Sequence, residues 1–224
     1  MKITSSLNKF FKIKKSERQY IYIPENIVTA YFIKECNEPF IKLKDYFNIK
    51  KASIICNSTI LLRQKAAELL VKAAKILPLG YEFKISEGFR TLKVQKKLFD
   101  QILNTMNKKY PKKTKRELWE ETTKYIADPE LCPPHTTGGA IDITIVDKKR
   151  KNLDMGTRLN SIDETSGTFY PKLKVQQKKN RQLLFDTLTQ VGFVNLPTEW
   201  WHYSYGDQYW AIFHQKPYAI YGTL

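Results

Sequence analysis

The chain has 224 residues, with 38 Lys and Arg against 22 Asp and Glu for a formal net charge of +16, and an apolar content of 42%. That composition argues against disorder, and the length allows one sizeable domain with its own core or at most two small ones. No apolar run reaches the roughly 18 residues a spanning helix needs, which excludes a transmembrane segment.

Residues 1–19 are polar and basic and read as an N-terminal arm. Their opening, Met1 to Phe11, lacks the apolar stretch and small-residue cleavage site of a secretory signal, so the expected location is cytoplasmic. Cys36, Cys56 and Cys132 are odd in number and widely spaced, indicating neither a disulfide framework nor a thiolate zinc site. They read as reduced thiols.

From Ser58 to Leu77, residues Leu61, Leu62, Ala66, Leu69, Leu70, Ala73 and Ala74 recur at helical spacing, and Pro78-Leu-Gly80 ends the helix. Tyr81 to Ser86 alternates as a strand and runs into Glu87-Gly88-Phe89-Arg90, a turn into a helix carrying Val94, Leu98, Ile102 and Leu103. Pro111 closes that helix, and Thr114-x-x-Glu117 is a capping box for another reaching about Ile126. A loop then delivers His135, and Gly138-Gly139 precedes the strand Ala140 to Val146. Residues 147–172 form a long polar connection, Lys174 to Val191 a helix, and Phe193 to Leu196 a short strand. There is no repeat or convincing linker. The expected fold is α+β, helices packed on a small antiparallel sheet, as a single domain over residues 20–224.

The positive charges are scattered, and their clusters (Lys108-Lys109, Lys112-Lys113, Lys148 to Lys151, Lys178-Lys179) are not interleaved with aromatics apart from Tyr110. A single-strand binding platform needs such interleaving, so no nucleic-acid partner is expected and the excess reads as a solvated lysine-rich surface. A module holding an anionic polymer on that surface is the competing non-enzymatic reading; it predicts no bound metal and strongly salt-dependent binding.

Of the three histidines, two lie in short stretches that each carry an acid, His135-Thr-Thr-Gly-Gly-Ala-Ile-Asp142 and Glu199-Trp-Trp-His202. Two imidazoles and two carboxylates are the inventory of a mononuclear zinc hydrolase: three ligands, an open coordination position, and a spare carboxylate to handle protons. The glycine pair lets the chain fold sharply between His135 and Asp142, and the three-residue spacing of Glu199 and His202 brings those two together. Cys132, close to His135, is a soft donor that this set does not need. His214, the third histidine, reads as structural.

These segments resemble the zinc D-Ala-D-Ala carboxypeptidases and dipeptidases, and within that group the VanX-like D-alanyl-D-alanine dipeptidases. Glu87-Gly88-Phe89-Arg90 is similar to the family's Asp-Gly-Tyr-Arg. His135 to Asp142 with Ile-Thr-Ile resembles its zinc strand, Asp154-Met-Gly-Thr-Arg158 its Met-Gly-Thr loop, and Glu199-Trp-Trp-His-Tyr203 its Glu-Trp-Trp-His-Tyr. The resemblance covers roughly residues 58–210. It implies one zinc ion per chain at the sheet centre, held by His135, Asp142 and His202. Glu199 would be the general base and acid, and Arg90 the cation facing the developing oxyanion. Trp200 and Trp201 would shape and dry the cavity, and Met155-Gly156-Thr157 would fix its wall. The implied substrate is a small dipeptide of cell-wall origin, D-Ala-D-Ala or a relative. The same chemistry on peptidoglycan stem peptides, as a D,D- or L,D-carboxypeptidase or endopeptidase, is the alternative. Pro133, Thr136, Thr137 and Asn160 depart from the family pattern and bear on which substrate is taken.

Overall fold

The structure, a computed structural model, describes residues 5–224. In chain order it contains α1 (Ser5–Lys12), α2 (Lys15–Arg18), α3 (Glu25–Val28), β1 (Phe40–Lys42), α4 (Leu43–Lys50), β2 (Ile54–Ile55) and β3 (Leu61–Arg63). There follow α5 (Gln64–Ala74), β4 (Glu82–Glu87), α6 (Leu92–Lys109), α7 (Lys115–Thr122), α8 (Pro134–Thr137) and β5 (Ala140–Val146). The chain then forms α9 (Val175–Gln190), β6 (Val194–Asn195), β7 (His202–Ser204) and α10 (Gln208–Phe213).

Strand β5 is the middle of a five-stranded sheet ordered β2-β4-β5-β7-β6, and every one of its residues is buried. Its alternation splits the two faces. Ile141, Ile143 and Ile145 join Ala66, Leu69 and Leu70 of α5 and Leu184 and Leu188 of α9 in the main core. Asp142 and Thr144 point to the other face. Strand β4 is irregular between Ile85 and Glu87, and this shift sets Glu87 opposite Asp142. Pairing of β5 with β7 then sets Asp142 opposite His202.

The α+β architecture is as expected, with one correction: β2 runs parallel to β4, so the sheet is mixed. The helix read over Ser58 to Leu77 is shorter, because Leu61–Arg63 pairs antiparallel with Phe40–Lys42 as β3 against β1. That pairing carries Arg63 inward, 1% exposed. Its Nε donates to the Thr137 carbonyl at 2.9 Å and its Nη2 to Glu35 at 3.1 Å, and its guanidinium stacks near Phe40 and Tyr221. The capping box of Thr114 and Glu117 forms, although α7 ends at Thr122, short of Ile126.

The connection 147–172 carries only a 3-10 turn, Glu164–Ser166, besides a single bridge at Asn152. A buried cation organises it. Arg181 of α9, 1% exposed, donates to the carbonyls of Met155 at 2.7 Å, Thr165 at 2.9 Å and Gly167. Residues 1–4 of the stretch read as a basic arm lie outside the described residues. From Leu7 onward its side chains pack: Leu7 and Phe10 are buried with Tyr209, Trp210 and Ile212 in a second core. Arg18 ties this segment down by donating to the Phe11, Ile13 and Phe213 carbonyls.

Candidate metal centre and catalytic cavity

His135 enters the site on α8, a single turn begun by prolines and ended by Gly138 at φ +74°. A left-handed backbone there suits glycine, and the chain reverses directly into β5. The His135 Nδ1–H donates to the Gly88 carbonyl at 2.8 Å, which leaves Nε2 facing inward, 3.4 Å from Asp142 Oδ1. His202, at the start of β7, places Nδ1 3.1 Å from the same oxygen. All three residues are buried, and their donor atoms lie within 4.8 Å of one another.

Two imidazole nitrogens and one carboxylate oxygen, converging in a buried site with one imidazole oriented by a backbone carbonyl, fit a divalent metal of the zinc type. Three protein ligands leave a coordination position open. Burial alone would raise the Asp142 carboxyl, but His135 and His202 outweigh it and hold the group well below the usual carboxylate range. Burial likewise disfavours a charged His135, and Asp142 reverses that and raises its pKa.

Glu199 stands beside the cluster with Oε2 3.9 Å from His202 Nδ1. Burial pushes its carboxyl up to about 7, helped by Asp142 and opposed by His202 and Arg90. The turn that carries it is held by a residue the sequence reading did not single out. Asn195 Nδ2 donates to the Glu199 and His202 carbonyls at 3.0 Å each, and Thr168 donates to Asn195 Oδ1 at 2.6 Å. Trp200 and Trp201 are each 1% exposed. Trp201 lines the cavity, whereas Trp200 sits behind it and donates to Thr157 Oγ1 at 2.8 Å. Met155, Gly156 and Thr157 therefore back the turn from outside the cavity rather than lining it, and the wall itself is made by Asn160, Ser161 and Ile162.

Arg90 is fixed on three sides. Its backbone N–H bonds the His135 carbonyl at 3.1 Å, Nε and Nη2 grip the two Glu87 oxygens at 2.6 Å each, and Nη1 donates to Gln95 Oε1 at 2.7 Å. Gln95 is anchored in turn on the Ala127 carbonyl at 2.6 Å. Such a bidentate fork gives a cation of set orientation. Burial disfavours that charge, and Glu87 more than restores it.

A cavity of about 360 Å³ joins Arg90, His135, Asp142, Glu199, Trp201 and His202. It also includes Pro133 and Asn160, two of the positions that depart from the family pattern, while Thr136 and Thr137 do not line it. Cys132 lies in the wall but outside the metal cluster. His214 is remote, packed against Trp210 and Phe213.

The family profile described as D-ala-D-ala dipeptidase, peptidase M15, matches residues 43–220. A D-alanyl-D-alanine dipeptidase of Synechocystis sp. is 30% identical over 141 residues, 58% of this chain and 56% of that protein. A D-alanyl-D-alanine dipeptidase of Escherichia coli is 28% identical over 160 residues, 70% of this chain and 72% of that protein. The match thus spans little more than half of the Synechocystis relative. A solved structure described as VanYB in complex with D-Alanine-D-Alanine aligns over 89% of this chain and 93% of its own, at 16% identity and a TM-score of 0.48. The profile covers the three-donor cluster, Glu199 and Arg90 alike, and the chain belongs to the peptidase M15 family, described as D-ala-D-ala dipeptidase.

Proposed function

We propose that the protein is a zinc-dependent dipeptidase that hydrolyses D-Ala-D-Ala or a closely related dipeptide. The observation that carries this reading is a three-donor cluster with a half-buried carboxylate at its edge and outside the donor set, Glu199 Oε2 lying 3.9 Å from His202 Nδ1 within one cavity. His135, Asp142 and His202 would hold one zinc ion per chain, which when bound supplies a Lewis acid that polarises the scissile carbonyl and acidifies the attacking water.

This chain's own residues do the rest. Glu199 accepts the proton of the attacking water and returns it to the nitrogen of the leaving amino acid, so that one carboxylate serves as base and then acid. Its raised proton affinity suits that double task. Arg90 directs a fixed cation at the carbonyl oxygen as charge develops on it. Trp201 excludes water from the wall beside the cluster. A cytoplasmic location belongs to the same reading; no helix of the described residues is long and apolar enough to cross a membrane.

A carboxypeptidase or endopeptidase acting on peptidoglycan stems is the second reading. One feature favours it: the cavity runs past the cluster to the apolar side chains Leu98, Ile102 and Ile126, where a longer substrate could lie.

The test is release of free D-alanine from D-Ala-D-Ala by zinc-loaded protein, beside a chelated sample and Glu199→Ala. Turnover lost in both controls supports the dipeptidase. Zinc bound without turnover of the dipeptide, together with cleavage of a stem pentapeptide, supports the second reading. Neither metal nor turnover sinks both, and the basic-surface module becomes the lead.

A further inference from the structure

The cavity has a second charged wall that the chemistry above does not use. Glu25 opens α3 and Asp207 caps α10, and both line the cavity that holds the metal cluster. Asp207 is 2% exposed; its Oδ1 accepts from the Trp210 N–H at 2.8 Å, the Ser204 hydroxyl is a further hydrogen-bonding neighbour, and no donor reaches Oδ2 with hydrogen-bond geometry. The Glu25 carboxylate makes no hydrogen bond or ion pair with any of the described residues, although its backbone carbonyl accepts from the Thr29 N–H at 2.9 Å. Its strongest charged neighbours are acids, Asp128 and Asp207, which together with burial push its carboxyl up to about 7.

Among the described residues, neither the lysine nor the arginine that lines the cavity is free to neutralise this pair. Lys124, the cavity's lysine, is engaged by Glu121 at 2.7 Å, and Arg90 is held by Glu87. Two carboxylates facing one space without a cation between them are costly alone and favourable once a cationic donor enters. Tyr22 ties this wall to the catalytic one: its hydroxyl is raised to about 12 by burial, then by Glu25 and by Glu199, so it stands within electrostatic reach of both.

A dipeptide brings the matching group. Only its first Cα separates the α-ammonium from the scissile carbonyl carbon, so an anchor for that ammonium has to lie in the same cavity as the cluster. We propose that Glu25, together with Oδ2 of Asp207, receives the α-ammonium of the substrate, so that a free amine next to the scissile residue is required and N-acylated or N-terminally extended peptides are rejected. The assignment rests on the dipeptidase reading and deepens it. Glu25 lies outside residues 43–220, so the family match does not supply it.

The test compares kcat/KM for D-Ala-D-Ala and N-acetyl-D-Ala-D-Ala in the zinc-loaded wild type, Glu25→Gln and Asp207→Asn. Glutamine is isosteric, and asparagine keeps the cap of α10 while removing the charge. The free-amine preference is expected to fall about 10- to 100-fold in Glu25→Gln, through KM, and in the same direction in Asp207→Asn. An unchanged preference in both folded variants overturns the proposal. Should the wild type cleave neither peptide, the dipeptidase reading has failed and the subsite is judged by calorimetry with D-alanine amide, an ammonium without a carboxylate. Binding weakened about tenfold or more in Glu25→Gln then supports the ammonium site, and equal binding in both proteins overturns it.

Discussion

The imidazole of His135 donates its Nδ1–H to the carbonyl oxygen of Gly88 at 2.8 Å, and this one bond decides which nitrogen faces Asp142. Gly88 can present its carbonyl there because it has no Cβ: one would lie 2.7 Å from the Leu61 carbonyl oxygen and 2.8 Å from Ile60 Cγ2. Gly88→Ala is therefore expected to displace the carbonyl and weaken metal binding about 10- to 100-fold, as loss of an outer-shell partner typically does. Competition with a chromogenic chelator measures this. Unchanged affinity would show that the His135 ring is oriented by something other than this bond.

Glu199 and His202 separate two functions within one turn. Glu199→Gln is expected to lower kcat by on the order of 10²–10⁴ while leaving zinc content at the wild-type level. Activity assayed beside metal analysis decides the matter. Zinc lost in step with activity would make Glu199 a ligand and not the proton carrier.

Arg90→Met removes the cation held by Glu87 and Gln95. If Arg90 faces the developing oxyanion, the loss falls on kcat and is about 10²–10³-fold, the usual effect of deleting one oxyanion donor. A change confined to KM would reassign Arg90 to gripping the substrate in its ground state.

Arg63 predicts a stability effect without a catalytic one at the metal. Its donors end on the Thr137 and Glu38 carbonyls and on Glu35, and removing the guanidinium takes the cation from a partly buried pair and the side-chain donor from both carbonyls, while Glu35 keeps the Asn37 and Gly222 N–H groups. Arg63→Met is expected to cost about 3–5 kcal/mol of unfolding free energy, the range for breaking a buried pair. Urea denaturation checks it, and a loss below about 1 kcal/mol would put this pair with ordinary surface bridges.

Glu25 gives stability a pH dependence. Its folded pKa, near 7, exceeds the ordinary 4.5, so between those values the folded protein holds a proton that the unfolded chain has released. Unfolding free energy therefore falls as pH rises from about 4.5 to about 7. The wild-type curve is expected to lose on the order of 1–2 kcal/mol more across this window than that of Glu25→Gln, the shift being discounted for partial exposure. Parallel curves for the two proteins would show that Glu25 carries no raised pKa.

Elements set by local chemistry were legible in the sequence. The strand Ala140 to Val146 is recovered residue for residue, because its alternation and the glycine pair before it are local signals. So is the capping box of Thr114 and Glu117. Leu61 and Leu62 misled because helical spacing says nothing about a partner strand. Pairing with Phe40–Lys42, some twenty residues upstream, drew them into β3. The packing of Leu7 and Phe10 onto α10 escaped for the same reason, since that face lies at the far end of the chain.

The candidate site divides in the same way. His135, Asp142, Glu199 and His202 were legible as candidate residue types in two short motifs, because motif spacing is local, and Arg90 was singled out only through the resemblance to a family. Tertiary structure alone decided that Asp142 stands opposite His202 across 60 residues of sequence, and that Glu87 clamps Arg90. It alone brought Asn195 beneath the turn of Glu199, and Glu25 and Asp207 to a common wall. Those residues sit in stretches with no motif. What gives them a role is strand pairing, burial and, among the described residues, the lack of a free lysine or arginine beside the two acids, and each of these exists only once distant parts of the chain have packed together.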